Sequence, residues 1–299
     1  MENNKSCLAV VFYLGERRIS LDEQVDDNLF FLKQQLAHLS YFRHNLDEIF
    51  LIFNLDESHK EYIDEVKKLV PNKIQNAKVT LMLRENVGFS YGGWSDLFTQ
   101  YKDKFDYFIF NEDDYFFSQN YWDEYLIKKY NTYPDCGYLC PMVREPNHWN
   151  GYRKHLGHSS GIASNENLKK VTDKFGNLPY GKNKDYVGGE ETQLFFGFAF
   201  IEAGLNLYDF RDDYSLTFAW TEPGKREVWN LWQWNESSFI TPAIKLSGKG
   251  LNWYESGDGE FLKDFIPTTL EQAIECYNNK ITYYGETKEQ GNWEKKKRE

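Results

Sequence analysis

The chain has 299 residues, of which 35 are basic and 46 acidic, giving a formal net charge of −11 at pH 7. That balance argues against a binder of duplex nucleic acid, which needs a basic face, and no run approaches the roughly 18 consecutive apolar residues of a membrane helix. The length allows one large domain or two small ones, and an aromatic content of 18% supplies a core as well as stacking surfaces for sugars or bases.

Cys7 to Leu14 is apolar but short and runs into Glu16, Arg17 and Arg18, so it reads as a first strand, Leu8–Leu14, and not as a signal sequence. Leu21 to Arg43 has a helical pattern, with Val25, Leu29, Leu32, Leu36 and Leu39 on one face. Glu48–Leu55 reads as a second strand. Ser58 is placed to cap the next helix, where Tyr62, Val66 and Leu69 repeat before Pro71 ends it. Val79–Leu83 is a third strand, and Tyr91–Lys102 a helix. Cys7, Cys136, Cys140 and Cys276 are scattered, and the one close pair lacks partners for a zinc site, so reduced thiols in a cytoplasmic compartment are expected.

The fourth strand, Asp106 to Phe110, runs directly into Asn111, Glu112, Asp113 and Asp114. In open α/β sheets ligands bind off the carboxyl ends of the strands, where carboxylates can hold a hard divalent cation whose shell is completed by water and phosphate. Glu112 and Asp114, two apart, point the same way from an extended segment while Asp113 points the other way. An acidic turn that only solvates a strand end is the plainer alternative. Strands alternating with helices argue for a mainly parallel sheet with helices on both faces. No Gly-x-Gly-x-x-Gly follows the first strand and no Gly-Lys-Ser/Thr loop occurs, so the dinucleotide and P-loop readings fail.

The second half is less regular. Arg153, His155 and His158 fall in an irregular stretch, where His158 is a candidate contact for a metal or phosphate, although a lone loop histidine is commonly just hydrogen-bonded. The loop from Gly176 to Gly189 holds four glycines, Pro179, Lys182 and Lys184, and is suited to closing over a diphosphate. Glu190 and Glu191 read either as acids at a helix N-terminus or as catalytic groups, with Leu194, Phe195 and Phe198 continuing a buried helix to Gly204. Trp220, Trp229, Trp232 and Trp234 crowd near Lys225 and Arg226, and Trp94 and Trp149 are candidate acceptor contacts. Thr268 to Asn278 reads as a last helix. The polar tail ends in Lys295-Lys296-Lys297-Arg298, a frayed end or a peripheral contact for an anionic membrane.

Asp56-Glu57-Ser58, Asn86-Val87-Gly88-Phe89, Asn111-Glu112-Asp113-Asp114 and Gly189-Glu190-Glu191-Thr192-Gln193-Leu194 resemble, in that order, the signature of the GT-A glycosyltransferases, most like family 2. The resemblance spans about residues 7 to 208. It implies a GT-A-like (Rossmann-like) α/β domain over 1–299, with a nucleotide-binding half (1–117), an acceptor-binding half (118–280) and a polar tail (281–299). It implies Asp56 and Asn86 at the nucleotide, Glu112 on the ribose or metal, Asp114 on Mn²⁺ or Mg²⁺, Asp113 sharing either task, and Glu191, beside Glu190, as the base of an inverting transfer.

The substrates implied are a nucleotide-sugar of UDP, dTDP or GDP type and a carbohydrate or lipid-linked acceptor. Gly93-Trp94 stands where the family often has Arg-Asn, and glutamates replace aspartates at 112 and 191. The Gln-x-x-Arg-Trp of processive synthases is absent. The chemistry suits these residue types independently, since a sugar hydroxyl needs a base and a diphosphate leaving group needs its charge neutralised. A retaining transferase and a non-catalytic carbohydrate-binding protein are the alternatives.

Overall fold

The computed structural model describes residues 4–14, 17–18, 24–25, 29–113, 115–117, 120–141, 143–144, 154–156, 159–180, 186–209 and 243–245. The chain divides into two compact units, one of Met1–Leu14, Asn45–Asp113 and Asp123–Phe210, the other of Gly15–His44, Asp114–Trp122 and Arg211–Glu299.

The first unit is built on an eight-stranded sheet of β1 (Ser6–Tyr13), β2 (Glu48–Leu55), β3 (Lys73–Ile74), β4 (Ala77–Glu85), β5 (Tyr107–Glu112), β6 (Cys136–Cys140), β7 (Gly161–Ser164) and β8 (Asn206–Asp209). Across the sheet the order is β8, β6, β7, β5, β1, β2, β4, β3. β1 pairs in parallel with β2 and β5, β2 with β4, and β6 with β8. β7 is inserted antiparallel between β5 and β6, and β3 is an antiparallel stub on the edge of β4. Along the chain the helices are α1 (Phe30–Tyr41), α2 (Ile63–Leu69), α3 (Phe89–Tyr101), α4 (Trp122–Tyr130), α5 (Asn165–Phe175) and α6 (Tyr186–Glu202). This is the mainly parallel α/β sheet with surrounding helices that the alternating pattern predicts. Among the described residues no helix is long and apolar enough to cross a membrane.

Parallel strands covered on both faces read as unbroken apolar runs, and β1 and β2 are of this kind, buried at every position but the last. On one face Cys7, Ala9 and Val11 join Phe50, Ile52, Phe108 and Phe110 beneath α3 and α6. Trp94 of α3 stacks on Phe110 with ring centroids 5.2 Å apart, and Phe196 of α6 packs against Tyr91 at 5.0 Å. On the opposite face Phe12 stacks on Phe53 at 4.8 Å.

Several expectations are corrected. The helix expected over Leu21–Arg43 forms only from Phe30, and Gln24–Val25 pairs instead with Arg17–Arg18; the intervening Asp26, Asp27 and Asn28 favour turns over helix interiors. The segment after β2 opens as a 3₁₀ turn, Glu57–Tyr62, whose N-cap is Asp56 and not Ser58. Trp94 is fully buried and therefore no acceptor contact, because Tyr91, Trp94, Leu97 and Phe98 share the face of α3 turned to the sheet. In α6 the inward residues are Phe196 and Phe200, while Phe195 is 53% exposed.

In the second unit α1 lies on the short strand Tyr115–Phe117, which pairs antiparallel with Ala243–Lys245. Gln35 Nε2 donates to the Tyr115 carbonyl at 2.7 Å, and His38 Nδ1 lies 3.2 Å from the Phe117 carbonyl. Burial pulls His38 and His44 from 6.5 down to about 4, against opposing backbone hydrogen bonds at Phe117 and Leu39. A histidine held neutral in the folded chain is protonated on unfolding below pH 6.5, so its contribution is present above that pH and lost as pH falls toward 4. Each is expected to remove about 2 kcal/mol between pH 7 and pH 5. Urea midpoints at the two pH values are expected to differ less in His38→Gln than in the wild type. Asp123 acts in the opposite sense, since burial lifts its carboxyl to about 6; the folded state then gains stability as pH falls through 6, and Asp123→Asn is expected to steepen the acid loss.

Candidate functional site at the carboxyl edge of the sheet

Because β4, β2, β1 and β5 are adjacent and parallel, their carboxyl ends share one edge of the sheet. The residues at or just beyond those ends are, in spatial order, Asn86, Asp56, Tyr13 and the Glu112-Asp113 pair. Three inter-strand spacings separate the outer members, a row of roughly 14 Å. The chain builds outward from β1 through β2 to β4 and then returns to β5 on the other side of β1. The switch point of the sheet therefore lies between the ends of β1 and β5, at Tyr13 and Glu112.

The two described acids at that point have different surroundings. Asp113 is 2% exposed, and its carboxylate is turned into β1, where Oδ2 accepts the Tyr13 N–H at 3.0 Å. Its own N–H donates to the Val11 carbonyl at 3.1 Å, so Asp113 extends the ladder one residue past the strand. Glu112 is half-buried; its Oε1 accepts from the Ser90 hydroxyl at 3.2 Å, and its N–H donates to Ser160 Oγ at 3.1 Å. Beside it, burial and then the negative charge of Glu112 hold the Tyr91 phenol well above its usual range, so that it stays a donor to Ser159 Oγ at 2.9 Å.

At the other end of the row, Asn86 Nδ2 donates to Asp56 Oδ2 at 3.3 Å, tying the acid after β2 to the turn after β4. The Asp56 N–H donates to His59 Nδ1 at 3.3 Å, and His59 presents its ring edge-on to Tyr13 at 5.1 Å. Tyr13 is 38% exposed. Its place in this row is not revealed by periodicity; the signal in the sequence is an aromatic at the end of an otherwise apolar strand.

Glu190 and Glu191 lie in α6, which begins at Tyr186, so Gly188 and Gly189 are inside the helix and the two acids are its fifth and sixth residues, not its N-terminus. Near its C-terminal end Phe200 closes on Gly137 at the start of β6, within 2.9 Å of an added Cβ there. One turn back, Phe196 packs on Tyr91 and Phe110, and a turn further back Gln193 Nε2 donates to the Leu156 carbonyl at 2.8 Å. Read from residue 200 to residue 191, the helix thus advances from the amino edge of the sheet toward the edge that bears Glu112. Asp114, His158, Trp149, the Trp220 to Trp234 group, residues 268–278 and the basic tail lie outside the described residues. Among the described residues no group of three or more His, Cys, Asp or Glu side chains is arranged to hold a metal ion.

No protein-family model matches the chain, and no curated protein matches it. Among solved structures the chain is similar to a cytidylyltransferase from Leptospira borgpetersenii, at 10% identity over 95% of this chain and 99% of that one, with a TM-score of 0.47. It is similar to a CMP:2-keto-3-deoxy-manno-octonic acid synthetase complexed with CTP, at 13% identity over 69% and 89% with a TM-score of 0.39. It is also similar to S. aureus TarS, at 10% identity over 69% of this chain and 35% of that one, with a TM-score of 0.41.

The contrast between neighbouring acids is directly measurable. Asp113→Ala strips the Tyr13 N–H of its acceptor and is expected to lower stability by about 1–3 kcal/mol in chemical denaturation. Glu112→Ala is expected to stay within about 0.5 kcal/mol of the wild type.

Proposed function

We propose that the chain is a glycosyltransferase that moves a sugar from a nucleotide-sugar donor to a hydroxyl of a glycan or glycolipid, by one in-line displacement with inversion. The observation that carries this reading is the row of Asn86, Asp56, Tyr13 and Glu112 along one sheet edge, with an acid near each end and the switch point between β1 and β5 among them. A carboxylate only accepts hydrogen bonds, so Asp56, steadied by Asn86, suits an N–H of the base. Tyr13 offers an exposed ring beside it, and the row leaves the diphosphate near Glu112.

Glu112 fits a hard cation, because a half-exposed carboxylate stands at the strand end with one oxygen oriented by Ser90. With Asp114 it would hold Mn²⁺ or Mg²⁺, which when bound neutralises charge developing on the leaving diphosphate. Asp113 is left as the tie between β1 and β5. In the transfer, the acceptor oxygen forms a bond to the anomeric carbon as the bond from that carbon to the diphosphate oxygen breaks. Glu191 takes the acceptor proton. The course of α6 toward the edge bearing Glu112 supports Glu191 in this role. The whole of 1–299 is taken as one functional domain with the acceptor side after residue 117.

Slow hydrolysis of UDP-, dTDP- and GDP-sugars with added Mn²⁺ identifies the donor without an acceptor. Glu191→Gln is expected to cut transfer by about 10²- to 10⁴-fold while leaving the Kd for the nucleoside diphosphate unchanged; near-normal transfer overturns the base assignment. A product anomer of retained configuration by NMR assigns a retaining enzyme. Release of pyrophosphate from a nucleoside triphosphate and a sugar substrate replaces the reading with nucleotidyl transfer, and indifference to every nucleotide leaves a carbohydrate-binding protein.

A further inference from the structure

Arg84, next to last in β4, has no part in the chemistry above, yet its guanidinium reaches three elements of the first unit. Its side chain is 12% exposed. Nε donates to Asp96 Oδ2 of α3 at 2.7 Å, Nη1 to Asn54 Oδ1 of β2 at 2.6 Å, and Nη2 to the Val87 carbonyl at 2.9 Å. Asn54, itself 3% exposed, passes the restraint on: its Nδ2 donates to the Phe89 carbonyl at 3.0 Å. Two carbonyls of the Asn86–Phe89 turn are therefore held from beneath by buried polar groups.

That turn needs holding. Gly88 and Phe89 both have positive φ, 77° and 51°, and for phenylalanine the left-handed region is strained. The turn is also pressed onto α3, since a Cβ at Gly92 would sit 2.0 Å from the Val87 carbonyl oxygen. Strain of this kind persists only where the surroundings impose it. The turn begins with Asn86, which bonds Asp56, and leads directly to Ser90, which bonds Glu112. One short segment thus touches both ends of the row.

We propose that Arg84 is a positioning residue of the nucleotide site: its guanidinium fixes the Asn86–Phe89 turn in the one shape that keeps Asn86 on Asp56 and Ser90 on Glu112. The inference rests on the nucleotide reading. A planar fork serving three acceptors in three directions has no counterpart in an ammonium group, so lysine does not substitute. The Arg84–Asp96 pair makes no contact with the Asn86–Phe89 turn itself and fastens α3 to the sheet.

The test is calorimetric titration of UDP, CDP, GDP and dTDP, with Mn²⁺, into the wild type, Arg84→Lys, Arg84→Met and Asp96→Ala, with a thermal melt of each. For the diphosphate that the wild type binds, both Arg84 variants are expected to weaken Kd about 10- to 100-fold, the range typical when groups orienting metal-binding carboxylates are removed. Asp96→Ala is expected to lower Tm and leave Kd within about twofold, well inside the effect of the Arg84 variants. Arg84→Lys carries the test if Arg84→Met does not fold. Wild-type binding that Arg84→Lys retains in full overturns this inference alone, as does a Kd that rises in proportion to the fall in Tm across all three variants. A wild type that binds none of the four diphosphates overturns the nucleotide reading and this inference with it.

Discussion

Parallel pairing of β1 with β2 on one side and β5 on the other leaves β1 buried from Ser6 to Phe12, on both faces. An ionised side chain is strongly disfavoured in such an interior unless it is fully bonded, so the strand ends are the first positions at which carboxylates are tolerated. Parallel strands put all of those ends on one edge. Asp56, Glu112 and Asp113 are concentrated there because the rest of each strand excludes them. At the junction of β1 and β5, where the chain reverses its direction of growth, Asp113 prolongs the pairing with two hydrogen bonds to β1, and in doing so leaves Glu112, on the opposite side of the backbone, as the described acid turned toward Ser90.

The aromatic layer under α3 and α6 transmits this arrangement to the second half of the unit. Trp94, Phe110, Tyr91 and Phe196 form one contiguous cluster, and Tyr138 and Phe200 extend it to β6. Such a cluster fixes the rotation of α6 about its axis, because exchanging Phe195 for Phe196 on the inner side would rotate the helix by about 100°. The position along the chain at which α6 meets α3 is therefore set by packing, and the acids five and six residues before Phe196 take their height above the sheet from it.

The strands were legible because two-sided burial writes itself as long apolar runs, as in Cys7 to Phe12 and Ile49 to Phe53. The repeat Leu32, Leu36 and Leu39 marks buried positions in α1, with Leu29 at its N-cap, whereas the same spacing carried back to Val25 is coincidence, and the low preference of Asp26, Asp27 and Asn28 for helix interiors is the local sign that separates the two. The start of α6 was hidden by Gly188 and Gly189, whose low helix propensity is overridden by the burial of Phe196, Ala199 and Phe200. The acids of the edge could be found as acids, whereas the division between a buried tie at 113 and a half-exposed carboxylate at 112 depends on the neighbouring strand. Arg84, Asn54 and Gly92 carry no signal in the sequence at all, since their roles are defined by contacts between β2, β4 and α3 that form only in the folded unit.

The turn after β4 shows how such contacts balance. A non-glycine residue in the left-handed region costs on the order of 1–2 kcal/mol, and the isolated segment Asn86–Phe89 would not hold that shape. Hydrogen bonds that involve a charged donor contribute roughly 1.5–3 kcal/mol each when buried, so the bond from Arg84 to Val87 alone is of the size needed, with the bond from Asn54 to Phe89 in addition. The guanidinium is itself largely buried and would be a liability without acceptors; Asp96, Asn54 and Val87 provide three in directions that suit its plane. Relaxing the turn would cost the guanidinium one of its three acceptors, and removing the guanidinium would leave the Val87 carbonyl without this donor. The two support each other, and together they hold Asn86 and Ser90 at opposite ends of the acidic row.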